Sequence, residues 1–361
     1  MFRDTDTDAD SAHEMFRSFD FMEGLPAPEP QRPRTFVALA RAIYPGLAAA
    51  GVAGLAASWL SQHYGAPVML FALLLGMAFH FLHEEGRCVP GIEFASKAVL
   101  RLGVALLGAR ITIDQILSLG VAPIAMVVGG IASTLLAGLL LARMMGLSRG
   151  FGLLSGGSVG ICGASAALAI ASVLPRTRET ERDLILVVVV VTTLSTIAMV
   201  LYPMVVTALG FTSTQAGLFL GASIHDVAQV VGAGYMISPE TGDTATYVKL
   251  LRVAMLLLVV PAVALAMMRS GAGGRARAQI PWFLVGFAAL VGINSLGWLP
   301  PPAAAAATDV SRACLVIAIA ALGMKTSFRF LLQAGWRPVA AMAAETAWLA
   351  ALALAVVAWT T

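Results

Sequence analysis

The chain has 361 residues and a net charge of +3, with 59% hydrophobic but only 12% charged side chains. Soluble domains carry about twice that charged fraction, so the composition excludes a soluble fold and predicts an all-α membrane protein with many spans. The scattered basic residues give no reason to expect a nucleic-acid partner. Cys88, Cys162 and Cys314 lack the spacing of a disulfide framework or a metal cluster.

Residues 1–35 differ in composition from the rest of the chain. They contain eight acidic residues and four prolines, and such a segment cannot bury enough apolar surface to fold alone. We therefore expect a disordered acidic tail on the cytoplasmic side. The tail is not a signal peptide, because it lacks a basic start followed by an apolar run.

Apolar runs of membrane-spanning length predict eleven transmembrane helices after the tail. Each run is close to the length that a helix needs to cross the hydrocarbon core of a bilayer. The predicted spans are about 43–60, 67–83, 95–111, 121–142, 150–174, 183–208, 214–236, 247–268, 280–297, 310–324 and 338–359.

The distribution of Lys and Arg between the loops predicts the orientation. Thirteen basic residues fall on the side of the N-terminus and five on the other side. We therefore expect a cytoplasmic N-terminus and, after an odd number of spans, a C-terminus on the opposite side. The five exceptions are Arg110, Arg176, Arg178, Arg182 and Lys249.

Glycines interrupt the fifth predicted span between Leu154 and Ser165. Four glycines lie within eight residues, and each lowers helix stability by about 1 kcal/mol relative to Ala. Backbone that leaves the helix inside a membrane must be buried in protein or line a cavity, so the stretch predicts a transporter's binding site. Close helix packing through small residues is the alternative. The predicted substrate-binding residues here are Ser155, Ser158, Gly160, Cys162, Gly163 and Ser165.

Two sequence matches indicate an internal repeat. Leu73–His80 and Leu218–His225 share the spacing Leu-x-Leu-Gly-x-x-x-His. Each match is followed by an arginine in similar apolar surroundings at the start of the next predicted span. It is Arg101 after the first match and Arg252 after the second. The matches occur in the same order, five spans apart, with chance as the alternative because Leu and Gly are common in this chain.

The repeat predicts a domain plan typical of secondary transporters, with two five-helix units of opposite orientation. The glycine-broken fifth span is then the fourth helix of its unit, and the tenth span, with Ala320–Lys325, is its expected broken counterpart. The predicted units are the tail 1–35, an extra helix 36–64, repeat 1 at 65–210 and repeat 2 at 211–361.

Polar residues inside the spans are further candidates, because a charge at the membrane centre costs at least a few kcal/mol. Arg101 and Arg252 are expected to face the bundle interior and attract an anion, with snorkelling to the interface as the alternative. Gln229 and Asn294 complete the predicted substrate site, although Asn294 fits a packing or helix-capping role equally well.

His225 and Asp226 are adjacent in the seventh span. A carboxylate beside an imidazole favours the protonated ring, so the pair predicts a site for a coupling proton. Alternatively, Asp226 alone would serve as a ligand for sodium. Helix packing is the alternative. His80, the counterpart of His225, is expected at the surface, and Lys325 in a loop.

Several of these motifs together resemble the YeiH family of bacterial inner-membrane proteins, whose members are commonly labelled sulfate exporters. The resemblance covers about residues 40–360, and it implies an inner-membrane transporter with a fold similar to sodium/proton antiporters and bile-acid sodium symporters. The acidic tail is an addition to the family pattern, and Gly160 stands where a hydroxyl or another small residue is expected. The matching motifs are Gly160–Ala166, His225–Val230, Lys249–Arg252 and Ile280–Phe283.

These features predict a secondary transporter of a small anion such as sulfate or an organosulfonate, working by alternating access. We expect no cofactor other than a proton or sodium as the coupling ion, and the partners are the anion, the bilayer and, as an open question, a second copy of the chain. An uncoupled anion channel and a membrane sensor are the alternatives. An enzyme using Cys162 as nucleophile is disfavoured, because the candidate base His225 is remote in sequence.

Overall fold

The computed structural model describes residues 36–84, 86–175, 177–269, 282–326 and 335–359. The predicted tail 1–35 lies outside these residues. Within them all regular structure is helical, which confirms the all-α expectation. In the first part of the chain the helices are α1 Phe36–Tyr64, α2 Val68–Ala78, α3 Phe81–Glu84, α4 Val89–Phe94, a π-helical segment Ala95–Val99, α5 Leu100–Leu107, α6 Ile113–Ser118 and α7 Ala122–Met144.

The second part of the chain alternates short helices with long ones. Six helical segments in the described part of the chain, namely α1, α7, α10, α13 with α14, α16 and α17, are long and apolar enough to cross a membrane. This supports a multi-pass membrane protein. The helices are α8 Arg149–Gly160, α9 Ala164–Ala171, α10 Arg178–Ala208, α11 Ser213–Ser223, α12 Val227–Ile237, α13 Pro239–Ala254, α14 Leu256–Arg269, α15 Trp282–Ser295, α16 Pro301–Lys325 and α17 Trp336–Trp359.

Helices α8 and α9 form a hairpin, residues 149–171 (hairpin 1), instead of the fifth predicted span. The Ser148 hydroxyl, just before α8, donates to Asp183 Oδ2 in the second turn of α10 at 2.5 Å. Ile170 in α9 packs against Gly157 in α8, so the two helices lie side by side. A crossing would separate the two ends by a bilayer core of about 30 Å. The chain therefore enters and leaves on the same face.

Helices α11 and α12 form a second hairpin, residues 213–237 (hairpin 2), where the seventh span was predicted. Its two ends meet, because the Ser238 hydroxyl donates to Ser213 Oγ at 3.3 Å. The Thr241 hydroxyl also donates to Ser213 O at 3.1 Å. With two hairpins in place of two crossings, the prediction of eleven spans is wrong.

The two hairpins enter from opposite faces, because α10 separates them. This helix has 31 residues, which at about 1.5 Å per residue is more than enough to cross a bilayer. Hairpin 1 opens beside the start of α10, and hairpin 2 begins just after its end at Ala208. Each hairpin arm is short, at 8 to 12 residues, which at about 1.5 Å per residue is about half the thickness of a bilayer core.

The tenth predicted span does not break. Helix α16 is continuous from Pro301 to Lys325. The prediction that the tenth span is broken in the same way as the fifth is therefore wrong. The expected pair of crossing broken helices is replaced by two re-entrant hairpins, because the glycine-rich stretch in α8 allows close packing and a reversal of the chain. The division into repeats at residue 210 stays a prediction.

The face from which hairpin 1 enters carries three arginines, with Glu179 and Asp183 beside them, near the open end of that hairpin. A cavity of about 690 Å³ there is lined by Ser148, Arg178, Arg182 and Arg337, among others. Arg178 and Arg182 had been assigned to the face opposite Arg337. Because hairpin 1 returns to the face it left, these arginines lie on one face, and the main exception to the predicted charge bias disappears.

Helix packing divides the described residues into two groups. Helices α1–α6, α15 and α16 pack mainly among themselves, and α7–α14 and α17 form the second group, which contains both hairpins. Helix α12 joins the groups by packing against α2 and α16. Glycines allow close approach within each group, as where Gly76 of α2 meets Gly323 of α16, with no space for a side chain at either position.

Candidate functional site

The tips of the two hairpins meet in the interior of the protein. Tip 1 is residues 161–163 and tip 2 is residues 224–226. Gly163 has φ +67°, a left-handed conformation that glycine adopts without strain, and a Cβ there would lie 3.7 Å from the His225 backbone. The Ser158 hydroxyl donates to Gly163 O at 2.8 Å and fixes the turn.

Tip 2 is held by the side chain of Asp226. Its Oδ1 accepts a hydrogen bond from Ala228 N at 2.8 Å, which makes Asp226 the N-cap of α12. The Asp226 N–H in turn donates to Ser195 Oγ on α10 at 3.0 Å. The carboxylate therefore lies at the N-terminal, positive end of a half-membrane helix, where it is favoured.

Lys249, on α13, is fully buried between the two tips. Its ammonium group donates to Ile161 O at 2.8 Å, to Ile224 O at 3.1 Å and to His225 O. Three carbonyl acceptors match the three N–H groups of a protonated lysine. The side chain thus binds both tips through their backbones.

Arg252 lies one turn further along α13, with 1% of its surface exposed. Nε donates to Gly160 O at 3.0 Å, and Nη2 donates to Val159 O at 2.8 Å and to Gly160 O at 2.9 Å. Nη1 donates to three carbonyls of hairpin 2 at 2.7 to 3.0 Å. The guanidinium group therefore fixes the C-terminal ends of α8 and α11, which carry partial negative charge.

The charges at the tips leave a positive surplus. Lys249 and Arg252 contribute two positive charges and the Asp226 carboxylate one negative charge. Each helix end contributes about half a charge, so the two C-terminal ends and the two N-terminal ends roughly cancel. About one positive charge therefore remains at the tips.

His225 contacts other elements and does not face Asp226. Its Nδ1 lies 3.2 Å from Val159 O of α8, and its Nε2 lies 3.0 Å from Thr346 Oγ1 of α17. The carboxylate of Asp226 caps α12 instead. The predicted pairing of the two side chains is therefore wrong, because the chain turns at tip 2 and sends them to different helices.

Polar groups beside the tips provide further ligand positions. Gln229 is buried and donates from Nε2 to Thr196 Oγ1 at 2.8 Å, while its Oε1 has no hydrogen-bond partner among the described residues. Ser165 is exposed in the first turn of α9, and Asp226 is half-buried. Of these residues, Ser165 and Asp226 therefore have exposed surface at the tips.

Comparison with known proteins places the chain in a family. Residues 45–342 match the family model described as Conserved hypothetical protein 698. A UPF0324 membrane protein of Chlorobaculum tepidum is 56% identical over 320 residues, covering 88% of this chain and 89% of that protein. The chain belongs to the UPF0324 family of membrane proteins. UPF0324 membrane protein TauZ of Paracoccus pantotrophus is 53% identical over 312 residues, covering 85% of this chain and 92% of its own length.

In this UPF0324 protein most of the predicted site residues do come together. The predicted glycine interruption coincides with tip 1, and its role as a binding site stays a prediction. Ser155 lies further back in α8, where it donates to Glu345 of α17. The residues at or beside the tips are Ser158, Gly160, Cys162, Gly163, Ser165, His225, Asp226, Gln229 and Arg252.

Two predicted ligands of the UPF0324 protein lie elsewhere. Arg101 is half-buried on α5, and Asn294 lies on α15, which packs against α5. Asn294 Nδ2 donates to Ile111 O, in the loop between α5 and α6, at 3.3 Å, which is a packing contact between α15 and that loop. These two side chains belong to the helix group that lacks the hairpins, so in this conformation they are not part of the tip site.

Two residues expected in water are largely buried. Lys325 has 7% of its side chain exposed and lies 2.7 Å from Glu93 Oε1, so the prediction of a loop lysine is wrong. His80 is half-buried, and its Nδ1 lies 2.7 Å from Met324 O. Both residues hold the C-terminal end of α16 against the preceding helices, which explains their burial.

Sequence reasoning missed three residues of the site. Lys249 had been counted as a loop residue, although its position three residues before Arg252 puts both on one helix face. Glu345 and Thr346 lie in the middle of the last predicted span, where an acidic residue signals function. That signal was available from the sequence alone.

Proposed function

We propose that this UPF0324 protein is a secondary active transporter of a small anion, of the sulfate or organosulfonate class, that works by alternating access. The observation that carries the proposal is that two hairpins from opposite faces meet at tips joined by Lys249 and Arg252. A site reached by one hairpin from each face is suited to opening first to one side and then to the other.

The positive surplus at the tips favours an anionic substrate. The N-terminal end of α9, with Ser165 exposed beside Gly163, offers backbone N–H groups and partial positive charge. All donors of Arg252 bind carbonyls in this conformation, so its contribution to an anion is electrostatic. Ser158, Cys162 and the amide of Gln229 are further short-range candidates.

Transport is coupled, in this proposal, to a proton or sodium gradient. Asp226 is the candidate coupling carboxylate at the tips, since it is half-buried and adjoins both hairpins. The protein lies in the bacterial inner membrane with the N-terminus in the cytoplasm and the C-terminus in the periplasm. The grouping of Arg178, Arg182 and Arg337 on one face supports this orientation.

The test is exchange transport in proteoliposomes. Vesicles loaded with unlabelled sulfate or a small organosulfonate are diluted into the labelled anion, and uptake against its gradient is followed. Saturable counterflow with one anion class, sensitive to pH or sodium, is the expected result. Flux without saturation or exchange would replace the transporter with an anion channel, and no flux with any anion would refute both.

A further inference from the structure

Glu345 is a buried acidic residue at the middle of α17, and no surface of it is exposed. Its Oε1 accepts a hydrogen bond from the Ser155 hydroxyl of hairpin 1 at 2.8 Å. Its Oε2 has no hydrogen-bond partner among the described residues. A carboxyl group with one donor and one unpartnered oxygen is an unusual arrangement in a protein interior.

Ionisation of Glu345 in this environment is costly. An acidic side chain at the centre of a membrane helix costs about 2.5–3.5 kcal/mol on insertion scales, and charged groups there are paired or functional. One neutral hydroxyl donor contributes about 1 kcal/mol and does not offset that cost. The neutral, protonated carboxyl is the form that this site accommodates.

The charged groups of the surrounding helices lie toward their ends. Helix α17 packs against α7, α8, α10 and α11. His225, at tip 2, reaches α17 through Thr346, the residue next to Glu345. The other titratable or charged residues described on α17 and on the helices packed against it are Arg143, Arg149, Arg178, Glu179, Glu181, Arg182, Asp183, Tyr202 and Arg337.

Glu345 is placed to sense the position of the hairpins. It bonds to Ser155 of hairpin 1, and Thr346 bonds to His225 of tip 2, so two consecutive residues of α17 contact both hairpins. A shift of hairpin 1 relative to α17 separates Ser155 from the carboxyl and admits water. The same shift would let the carboxyl exchange its proton with the newly open side.

We propose that Glu345 is the proton-binding site that couples transport to the pH gradient. One proton binds to the Glu345 carboxylate from one side and leaves to the other side as the hairpins change position, and the anion moves in the same cycle. This inference rests on the proposed transport function, and it assigns the coupling proton to α17 and not to the tip residue Asp226.

The test compares Glu345→Gln with wild type in proteoliposomes whose membrane potential is clamped at zero. Glutamine keeps the shape and the acceptor for Ser155 but cannot exchange a proton. One proton per anion across one pH unit supports about tenfold accumulation, because each pH unit is a tenfold difference in proton concentration. We expect wild type to approach that ratio with sulfate or a small organosulfonate. Glu345→Gln should bring the anion only to equal concentrations on the two sides, while it still exchanges labelled for unlabelled anion.

Glu181→Gln, an exposed carboxylate on α10, is the matched control and should accumulate anion like wild type. Accumulation by Glu345→Gln at the wild-type level would overturn the inference. Absence of counterflow in wild type would instead overturn the proposed function, so the two failures are distinct.

A spectroscopic measurement covers the case in which Glu345→Gln does not fold. Infrared difference spectra of the wild-type protein between two pH values should contain the C=O stretching band of a protonated carboxyl. In Ser155→Ala, which removes the hydrogen bond to Oε1, that band should move to higher frequency. A spectrum without such a band, or with a band that Ser155→Ala leaves unchanged, would contradict a protonated Glu345.

Discussion

Replacing Arg252 with methionine should strongly destabilise the protein. Methionine fills most of the buried volume, but it leaves the carbonyls of Gly160, Gly221 and Ala222, in both hairpins, without the side-chain donor that Arg252 provides. Removing one partner of a buried charged interaction costs about 3–5 kcal/mol. Typical total stabilities are about 5–15 kcal/mol, so the change removes a large fraction.

The free energy of unfolding, measured by denaturant titration in detergent micelles, tests this prediction. Arg143→Met is the matched control, because Arg143 is exposed in the last turn of α7 and exposed substitutions usually change stability by less than about 0.5 kcal/mol. Arg252→Lys should also destabilise, since an ammonium has three N–H donors and no planar fork. A loss below about 1 kcal/mol in Arg252→Met would refute the idea that this side chain joins the tips.

Two further predictions concern the ion cluster near α16 and the topology. Glu93→Gln should cost about 3 kcal/mol of unfolding free energy, because the carboxylate contacts Lys325 and two other basic side chains; an equal loss in the exposed control Glu84→Gln would contradict a specific role. In a background without native cysteines, Ser172→Cys and Arg337→Cys should react with an impermeant thiol reagent from the same face. Modification from opposite faces would show that residues 149–171 cross the membrane.

The sequence predicted two of the long helices closely, because their apolar runs have the length of a bilayer, whereas α16 begins nine residues before its predicted span 310–324. The bounds of α7 and α17 lie within two residues of the predicted spans 121–142 and 338–359. The glycine stretch in α8 was also recognised as the central feature. Local composition favours an interruption there, and the interruption is tip 1.

The reversal of the chain was not predictable from composition. A hairpin of two half-membrane helices has about the same length and hydrophobicity as one crossing, so residues 150–174 and 214–236 both resembled spans. What separates the two cases is tertiary contact, such as Ser148 with Asp183 and Ser213 with Ser238. The basic loop before α10 was the one sequence signal of this reversal, because the predicted topology put its arginines on the face opposite to most other Lys and Arg residues.

The roles of Lys249 and Arg252 also depended on the tertiary structure. Their spacing shows that they share a helix face, but their acceptors are backbone carbonyls of two hairpins far away in sequence. No pattern of residue types identifies a carbonyl as an acceptor in advance. The same holds for His225, whose partners on α8 and α17 are 66 and 121 residues away.

The central claim is that an anion binds where the hairpin tips meet. Its most direct test is the unfolding free energy of the purified protein across a panel of anions, at several pH values and with and without sodium. A specific anion should stabilise the protein by about 2.7 kcal/mol at a hundredfold excess over its Kd, and Ser165→Trp, which fills the exposed side of the tip, should remove that gain. Absence of stabilisation by every anion under all these conditions would contradict an anion site at the tips.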